Sequence, residues 1–409
     1  MANDTSELHL LAATEATVGH LLAATDVPGF ASAIIRNGQF ERTICSGVRD
    51  VQSLILVDKD TSFNAASLSK PVFAHAVLQL VDQGRLSLET PLAHYLPEYM
   101  RGDSRAASIT AAHVLSHSSG LPNWRNDDLP LKTYFPPGER FSYSGEGFLY
   151  LQRAVEAITG EKLHTLAERL VLGPFGMTRS SFVWEWRFDA NRAAPHDDFG
   201  RPALGWKFGE GNAAASLQTT AADYGRFLLR VLDGSLLRPE TAQLWLRPHI
   251  EVRHAKPQSL GAEAEDVATG VAWGLEPEEG TFFHWGNNGP FKAFTVGSVQ
   301  SQDAMVFFMN GASGLALMPE VVSALMPGTR PSLTWLDYGR HDAPVRRILH
   351  AARRRDVAAT WKEITDAGLN TDDQMWVARG LIAAGRDEDG LWLRQQIKQG
   401  VDGGSPQRR

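Results

Sequence analysis

Apolar and polar residues alternate along this chain with two different periods. Residues 8–25 place leucines and valines at a helical spacing, which predicts an N-terminal helix. Two short runs with strand character follow, 31–35 and 40–46, and they are separated by a strong hairpin signal, Asn37-Gly38. The first part of the chain therefore predicts a helix followed by a β-hairpin.

Helical spacing dominates the middle of the chain, and strand spacing returns near its end. The predicted helices are 67–83, 142–159, 163–171 and 221–233. The predicted later strands are 270–275, 281–285, 291–299 and 303–309, and a helix at 316–325 follows them. Strands at both ends favour an α/β (α+β) fold, in which helices flank an antiparallel sheet from about 26–60 and 265–325. A helical region of about 80–250 would be inserted into that sheet.

The segment from Pro327 to Pro331 has the composition of a linker. We therefore expect one domain at 1–328, a helical C-terminal extension at 331–400 and a disordered tail at 401–409. The extension carries about four short helical stripes without a repeated motif, so a solenoid is not indicated. All residues with candidate chemistry precede residue 290, and the extension is therefore expected to be dispensable for catalysis.

Composition restricts the class of protein. The 409 residues are 43% apolar and 21% charged, which is typical of a soluble globular protein, and the net charge of −7 is interleaved along the chain. The absence of a basic stripe argues against a nucleic-acid partner, and no apolar run is long enough to predict a membrane span. A single cysteine excludes an intramolecular disulfide, and the acidic N-terminus differs from a secretory signal. These features predict a cytoplasmic protein.

Candidate chemistry begins with Ser67-Leu68-Ser69-Lys70 at the start of a long helix. A lysine three residues after a serine on a helix lies on the same face, within reach of the serine hydroxyl. A lysine whose pKa is lowered by burial can accept the serine proton, and the backbone N–H of Ser67 can stabilise an oxyanion. Taken alone, the tetrapeptide also fits a helix-capping serine and a solvated lysine.

Two further segments carry compatible chemistry. Tyr143, in Phe141-Ser142-Tyr143, could pass protons between Ser67, Lys70 and a leaving group, with its phenolate stabilised by the lysine ammonium. Taken alone, it fits better a tyrosine packed at a helix start, with Ser142 or Ser144 as the helix cap. In His284-Trp285-Gly286-Asn287, the glycine permits close backbone approach, and the N–H of Asn287 could be a second oxyanion donor. His284 would hydrogen-bond the tyrosine or the substrate.

Together, the Ser-x-x-Lys, Tyr-Ser-x and His-x-Gly elements, in this order, resemble the serine β-lactamase and penicillin-recognising superfamily, in particular class C β-lactamases and family VIII esterases. Supporting segments are 117–122, 137–143, 174–177 and 219–224. The resemblance extends from about residue 10 to 325. It implies an antiparallel sheet flanked by helices, with Ser67 as nucleophile, Lys70 as base, Tyr143 as proton shuttle and His284 lining the cleft.

Two departures bear on the substrate. Class C β-lactamases carry asparagine two residues after the tyrosine and lysine at the start of the third element, where this chain has Gly145 and His284. A neutral imidazole attracts a carboxylate less than an ammonium does, which disfavours β-lactam hydrolysis. The preferred function is hydrolysis of a carboxylic ester or amide through a Ser67 acyl-enzyme, with peptidase, amidase or acyltransferase activity as alternatives and a catalytically dead scaffold as the rival class.

The expected substrate-binding residues are Gly145, Trp285, Gly286 and Asn287. No metal or organic cofactor is implied, and the expected partner is a small-molecule or peptide substrate. A metal site at His113 and His117 lacks a third ligand at a suitable spacing. The aromatic residues at 184–188 and 206–208 fit an acyl pocket and core packing equally well. No Gly-x-Ser-x-Gly element indicates an α/β-hydrolase.

Overall fold

The computed structural model describes residues 16–100, 102–126, 128–252 and 266–403. Its strands are β1 Gly29–Arg36, β2 Gln39–Gly47, β3 Phe63–Asn64, β4 Gln218–Thr219, β5 Ile250–Glu251, β6 Ala268–Thr269, β7 Gly274–Glu276, β8 Thr281–Asn288, β9 Phe291–Ser298 and β10 Asp303–Met309. Eight of these form one sheet in the order β2-β1-β10-β9-β8-β7-β6-β5, with antiparallel pairing throughout. β3 and β4 form a separate pair. The main sheet is thus built from both ends of the chain, as the sequence predicts.

Thirteen helical segments of the described residues surround this sheet. They are α1 (16–25), α2 Ser69–Asp82, α3 Ala111–Leu115, α4 Gly145–Thr159, α5 Leu163–Ala167, α6 Ala221–Asp233, α7 Pro239–Trp245, α8 Met318–Leu325, α9 Pro331–Leu336, α10 Pro344–Ala352, α11 Val357–Asp366, α12 Thr371–Ala383 and α13 Asp387–Gly403. The part of the first predicted helix at 8–15 lies outside the described residues. No described helix is both long and apolar enough to cross a membrane.

One strand prediction is wrong. Residues 270–275 were expected to form a single strand, but β6 ends at Thr269, β7 begins at Gly274 and a turn joins them. The N–H of Gly270 donates to the carbonyl of Trp273 across this turn, at 2.8 Å. Trp273 is nevertheless buried, because the turn lies under the helical region. An apolar run predicts burial more directly than it predicts extended backbone.

Both faces of the main sheet are covered, and its central strands are therefore apolar on both sides. Val306 and Phe308 of β10 point into a first core, shared with α2 and α6. Met305 and Phe307 point into a second core, shared with α1 and α8. The alternation along β10 follows the two-residue period of a strand.

The predicted linker at Pro327–Pro331 does not separate two packing units. α9 begins at Pro331, and its Trp335 is buried in the second core, 5.4 Å from the ring of Trp285. A third core, which includes Leu349, Ile364 and Leu381, unites α10 to α13. The helical unit with its own core therefore begins near residue 344, since Trp335 of α9 packs on Phe283 and Trp285 of the sheet and on Phe141.

The helical unit of α10–α13 docks on the rest of the molecule through a small polar and aromatic contact. Arg353 of α10 donates to both carboxylate oxygens of Asp26, one of them at 2.7 Å. Trp376 of α12 lies 5.3 Å from the ring of Phe199. α13 extends to Gly403, so the start of the predicted disordered tail is helical, and residues 404–409 lie outside the described residues.

Candidate active site

Ser67 lies at a sharp turn between β3 and α2. Ala66 adopts a left-handed conformation with φ of 49°, and its N–H donates to the Asn64 side chain at 3.1 Å. Ser69 holds the other side of the turn, because its hydroxyl donates to the Ala66 carbonyl at 2.6 Å. Within residues 61–80, Ser67 is the single residue that is not buried. The turn therefore presents the Ser67 hydroxyl to the cleft from an otherwise buried segment.

Lys70 faces Ser67 from the first turn of α2. Its Nζ lies 3.1 Å from the Ser67 hydroxyl oxygen and 2.8 Å from the Ala214 carbonyl oxygen. The side chain is fully buried, and burial holds the pKa of the Lys70 amine well below its ordinary value. Among the described residues no carboxylate pairs with this amine. These surroundings favour a neutral amine, which can accept a proton from the serine.

Tyr143 precedes α4 and is held over the lysine. Ser144 caps α4 by accepting from the N–H of Gly147 at 2.9 Å, so the tyrosine lies just outside the helix. Lys70 Nζ lies 4.8 Å from the centre of the Tyr143 ring. The hydroxyl is buried beside Ser67, without a well-aligned hydrogen bond to any described residue. Burial raises the pKa of Tyr143 well above its ordinary value, and the Ser67 hydroxyl partly opposes this effect.

The protonation states therefore differ from one expectation. The sequence suggested a phenolate stabilised by an ammonium, whereas burial favours the neutral forms of both Tyr143 and Lys70. Two opposite charges in a buried site lose more hydration than their attraction restores unless further hydrogen bonds are present. The phenol can then donate a proton while the amine accepts one.

His284 lies on β8, with its ring 6.4 Å from the Tyr143 ring. Its Nδ1 is 2.8 Å from the Trp285 carbonyl oxygen, and because a carbonyl only accepts, Nδ1 carries the proton. Burial first, and the neighbouring Lys70 second, lower the pKa of His284 to about 3, although the Trp285 carbonyl opposes them. The imidazole is therefore neutral near pH 7, as expected from the residue type.

The cleft runs along an open edge of β8. β8 pairs with β9 from Phe282 to Asn288, but it pairs with β7 only as far as Phe283. On the side of β8 that faces away from β9, the described residues therefore supply no strand partner from His284 onward. Asn288 and Phe291 close a two-residue hairpin, and the alternation of an antiparallel pair directs the N–H of Asn287 toward the open edge. That N–H can therefore face a substrate.

Gly286 brings β8 into backbone contact with the nucleophile turn. A Cβ at this position would lie 2.7 Å from the Ala65 carbonyl oxygen and 3.2 Å from Ala66 Cβ. Real Cβ atoms do not tolerate such an approach to backbone. Because Gly286 has no side chain, β8 can lie this close to the turn that carries Ser67.

The remaining predicted substrate-binding residues are placed differently. Gly145 is buried in the first turn of α4, and a Cβ there would lie 2.8 Å from the Trp124 ring. Trp124, which is 47% exposed, therefore presents its surface at this position instead of Gly145. Trp285 is a buried member of the second core, whereas Asn287 is exposed and accepts from Lys292 Nζ at 2.6 Å.

Sequence reasoning missed Trp124 and undervalued His117. The His117 ring stacks on Tyr143 at 4.2 Å, and its Nδ1 accepts from the N–H of Ser144 at 3.1 Å. This hydrogen bond fixes the loop that carries Tyr143. Nδ1 of His113 similarly accepts from the N–H of Thr110. Within the described ranges, no three histidine, cysteine or carboxylate side chains form a group suited to a metal ion.

The aromatic residues at 184–188 and 206–208, which fit an acyl pocket or core packing by sequence, are only partly buried. Trp186 is 86% exposed, and Trp206 is also exposed. Trp184 and Trp206 line a groove that reaches Phe291 at the end of the β8–β9 hairpin. These residues border the hairpin, and the contacts do not place them against Ser67.

A sequence model of the β-lactamase family matches residues 14–321. Esterase EstB of Burkholderia gladioli is 28% identical over 204 residues, which cover 42% of this chain and 52% of EstB. Penicillin-binding protein 4 of Amycolatopsis lactamdurans is 30% identical over 227 residues, which cover 51% of this chain and 57% of that protein. The matches thus span little more than half the length of these relatives.

Solved structures give a likeness in fold. A class C β-lactamase superposes with a TM-score of 0.66 at 19% identity, covering 79% of this chain and 98% of that one. An octameric penicillin-binding protein homologue from Pyrococcus abyssi superposes with a TM-score of 0.67 at 20% identity, covering 85% of this chain and 82% of that one.

Proposed function

The chain belongs to the β-lactamase family of serine hydrolases, and we propose that it cleaves carboxylic esters through an acyl-enzyme on Ser67. The observation that carries this proposal is the buried, uncompensated amine of Lys70, 3.1 Å from the Ser67 hydroxyl. A weak nucleophile requires a base within hydrogen-bond distance, and burial lowers the pKa of a lysine enough for it to act as one. An esterase among the relatives supports the same chemistry.

The proposed reaction uses neutral groups at the start. Lys70 accepts the Ser67 proton as the serine oxygen attacks the ester carbonyl, and the N–H groups of Ser67 and Asn287 stabilise the oxyanion. Tyr143 donates its proton to the departing alkoxide and recovers one from the Lys70 ammonium. Water then attacks the acyl carbon and gives a proton to Lys70, the bond from the acyl carbon to the Ser67 oxygen breaks, and the serine receives a proton from Tyr143, which recovers one from Lys70. The sequence of steps leaves the serine, lysine and tyrosine unchanged.

Two features favour esters over β-lactams. Gly145 carries no side-chain amide of its own for an acylamino group, and Trp124 occupies the space beside it. His284 is neutral and gives no permanent cation for a β-lactam carboxylate. A neutral amide contact is worth roughly 0.5–1.5 kcal/mol and a charge-assisted contact roughly 1.5–3 kcal/mol, so the two together correspond to about 10–10³ in turnover. An ester requires neither contact.

Amide or peptide cleavage, or transfer of the acyl group to an amine or alcohol, is the second candidate. The open edge of β8 favours it, because an exposed strand edge binds extended peptide backbone by main-chain hydrogen bonds. A relative named penicillin-binding protein 4 supports it as well. A scaffold without activity is disfavoured, since Ser67, Lys70 and Tyr143 are intact and close together.

The proposal is tested by labelling the nucleophile. The protein is incubated with a fluorophosphonate, the adduct is mapped by mass spectrometry, and ester turnover is measured for Ser67→Ala and for the exposed control Ser53→Ala. We expect the adduct on Ser67, no turnover by Ser67→Ala and full turnover by Ser53→Ala. An adduct elsewhere, or an active Ser67→Ala variant, would reject Ser67 as the nucleophile.

Substrate class is tested by comparing kcat/KM for p-nitrophenyl butyrate, a chromogenic cephalosporin and a panel of peptide amides. We expect the ester to be preferred. Preference for the cephalosporin would contradict the interpretation of Gly145 and His284. Reaction with peptides alone would establish the second candidate.

A further inference from the structure

Asn288 is the last residue of β8 and directly follows Asn287, whose N–H is proposed to stabilise the oxyanion. Successive side chains of a strand point to opposite faces of the sheet, so the side chains of Asn287 and Asn288 point away from each other. Asn287 is held on one face, where its Oδ1 accepts from Lys292 Nζ at 2.6 Å. Asn288 points to the other face, on which Gly286 approaches the turn that carries Ser67. The end of the hairpin therefore directs the Asn288 side chain toward the nucleophile turn.

The side-chain amide of Asn288 binds two segments of the site at once. Its Nδ2 donates to Asn64 Oδ1 at 2.6 Å and to the Ala215 carbonyl oxygen at 3.0 Å. An amide nitrogen carries two hydrogens, so these two bonds use both of them. Both acceptors belong to buried residues, where the loss of a donor is costly.

The side-chain oxygen of Asn64 is shared between the two sides of the proposed oxyanion site. It accepts from Asn288, which follows Asn287. It also accepts, at 3.1 Å, from the N–H of Ala66, which precedes Ser67. One oxygen atom thus links the neighbours of the two oxyanion donors. Because Ser67 and Asn287 are 220 residues apart in the chain, the separation of their N–H groups depends on tertiary contacts such as this one.

The second acceptor connects the same amide to the segment that holds the base. The carbonyl of Ala214, directly before Ala215, accepts from Lys70 Nζ at 2.8 Å. Asn288 therefore joins the β8–β9 hairpin to the segment that binds the Lys70 amine, as well as to the nucleophile turn.

We propose that Asn288 is a positioning residue, which holds the N–H of Asn287 at the distance from the N–H of Ser67 that stabilises an oxyanion. This inference rests on the proposed acyl-enzyme function. Protein oxygens engage both hydrogens of the Asn288 amide, so the residue acts through the hairpin and not by binding the substrate. Its contribution therefore belongs to the tetrahedral states, in which the oxyanion carries its charge, rather than to substrate binding.

The test separates kcat from KM for p-nitrophenyl butyrate in the 409-residue protein. Asn288→Asp keeps the shape of the side chain and removes both donor hydrogens, and Asn288→Ala removes the donors without adding a charge. We expect kcat to fall about tenfold or more in each variant, because outright removal of an oxyanion donor costs about 10²–10³ and displacement costs less. KM should change by less than about threefold, since the contact with the substrate in its ground state is retained.

A transition-state analogue gives an independent readout. Butylboronic acid bonds to the serine oxygen and forms a tetrahedral adduct, with one boron-bound oxygen where the oxyanion would lie. Its Ki should rise in each variant by about the factor by which kcat/KM falls. A smaller fraction of folded protein would instead lower kcat and leave this Ki unchanged.

The link through Asn64 is tested by a double-mutant cycle. The pair Asn64→Ala and Asn288→Ala should lose much less in kcat than the product of the two single losses, because both substitutions remove the same hydrogen bond. Single losses that multiply in the double variant would overturn this link.

The matched control is Asn370→Asp, the same change at an exposed helix cap of α12, which should leave kcat, KM and Ki unchanged. An unchanged kcat in both Asn288 variants, a loss confined to KM, or a lower kcat with an unchanged Ki would overturn the assignment. Failure of the proposed function itself is distinguishable, because it would appear as ester turnover in Ser67→Ala.

Discussion

The pKa values of the site residues depend on their surroundings more than on their residue type. Lys70 is a buried lysine without a carboxylate partner among the described residues, and burial lowers its pKa accordingly. Tyr143 and His284 are likewise held in their neutral forms by burial. A site of neutral groups can begin catalysis by moving a proton, since the base is already free and the acid already carries its proton.

The role of Lys70 is tested by two substitutions. We expect Lys70→Arg to lose as much activity as Lys70→Ala, on the order of 10²–10⁴ in kcat/KM, because arginine keeps its charge but does not release its proton. Lys59→Arg, at an exposed lysine, should retain full activity. Substantial turnover by Lys70→Arg would show that the lysine positions charge and that another group accepts the proton.

Gly286 gives a second prediction at the scale of one residue. Gly286→Ala should lower kcat/KM by about 10² or more, since its Cβ would force the Ala65–Ala66 backbone, and with it Ser67, out of position. The matched control is Gly209→Ala, where a Cβ would meet no atom within 4 Å. If Gly286→Ala retains normal rates in a steady-state ester assay, contact with the turn is not what positions the serine.

At the scale of elements, α9 belongs to the hydrolase rather than to the extension. Its Trp335 contacts Phe283, Trp285 and Phe141, with ring centres 5.4–6.3 Å apart. That everything after about residue 330 is dispensable for chemistry stays a prediction, but removal of α9 would expose the second core. The helices α10 to α13, which have their own core, remain candidates for removal.

We predict that Trp335→Ala destabilises the protein by about 3–5 kcal/mol, because it removes a large buried side chain and leaves a cavity. Trp186→Ala, at an indole that is 86% exposed, should change the free energy of unfolding by less than about 0.5 kcal/mol. Urea denaturation followed by circular dichroism measures both values. A change below about 1 kcal/mol for Trp335→Ala would place α9 outside the core.

At the scale of the whole molecule, histidines buried in the interior make the free energy of unfolding depend on pH. His75 lies in the first core against Phe175 and Trp245, and burial lowers its pKa from 6.5 to about 4. His284, beside the site, has a pKa of about 3 for the same principal reason. Between these values and about pH 6.5, the unfolded chain binds protons that the folded protein does not. Stability must therefore fall as the pH is lowered through this range.

Below about pH 6, each of these histidines is expected to lower the free energy of unfolding by about 1.4 kcal/mol for each pH unit of acidification. Urea denaturation at pH 7, 6 and 5 measures this pH dependence. His75→Gln should remove the contribution of one histidine to this pH dependence. His94→Gln, at an exposed position, should leave the pH dependence unchanged. An unaltered pH dependence in His75→Gln would mean that His75 is protonated in the folded state.

The sequence by itself determined the features that depend on neighbours along the chain. The β-hairpin at Asn37-Gly38, the helix after Ser67 and the strands that became β8 to β10 follow from turn chemistry and from periods of two or 3.6 residues. The order of the Ser-x-x-Lys, Tyr-Ser-x and His-x-Gly elements indicated the family. Such signals arise from contacts within a few residues, so they are present before the chain folds.

The tertiary structure decided the features that depend on distant segments. Trp124 covers Gly145 from 21 residues away, and Trp335 packs on Trp285 of β8 from 50 residues further along the chain. The pKa shifts of Lys70, Tyr143 and His284 arise mainly from desolvation, which no local pattern encodes because it requires the surrounding cores to close. Local patterns therefore indicated the candidate residues, whereas long-range packing determined their surroundings and the direction of their pKa shifts.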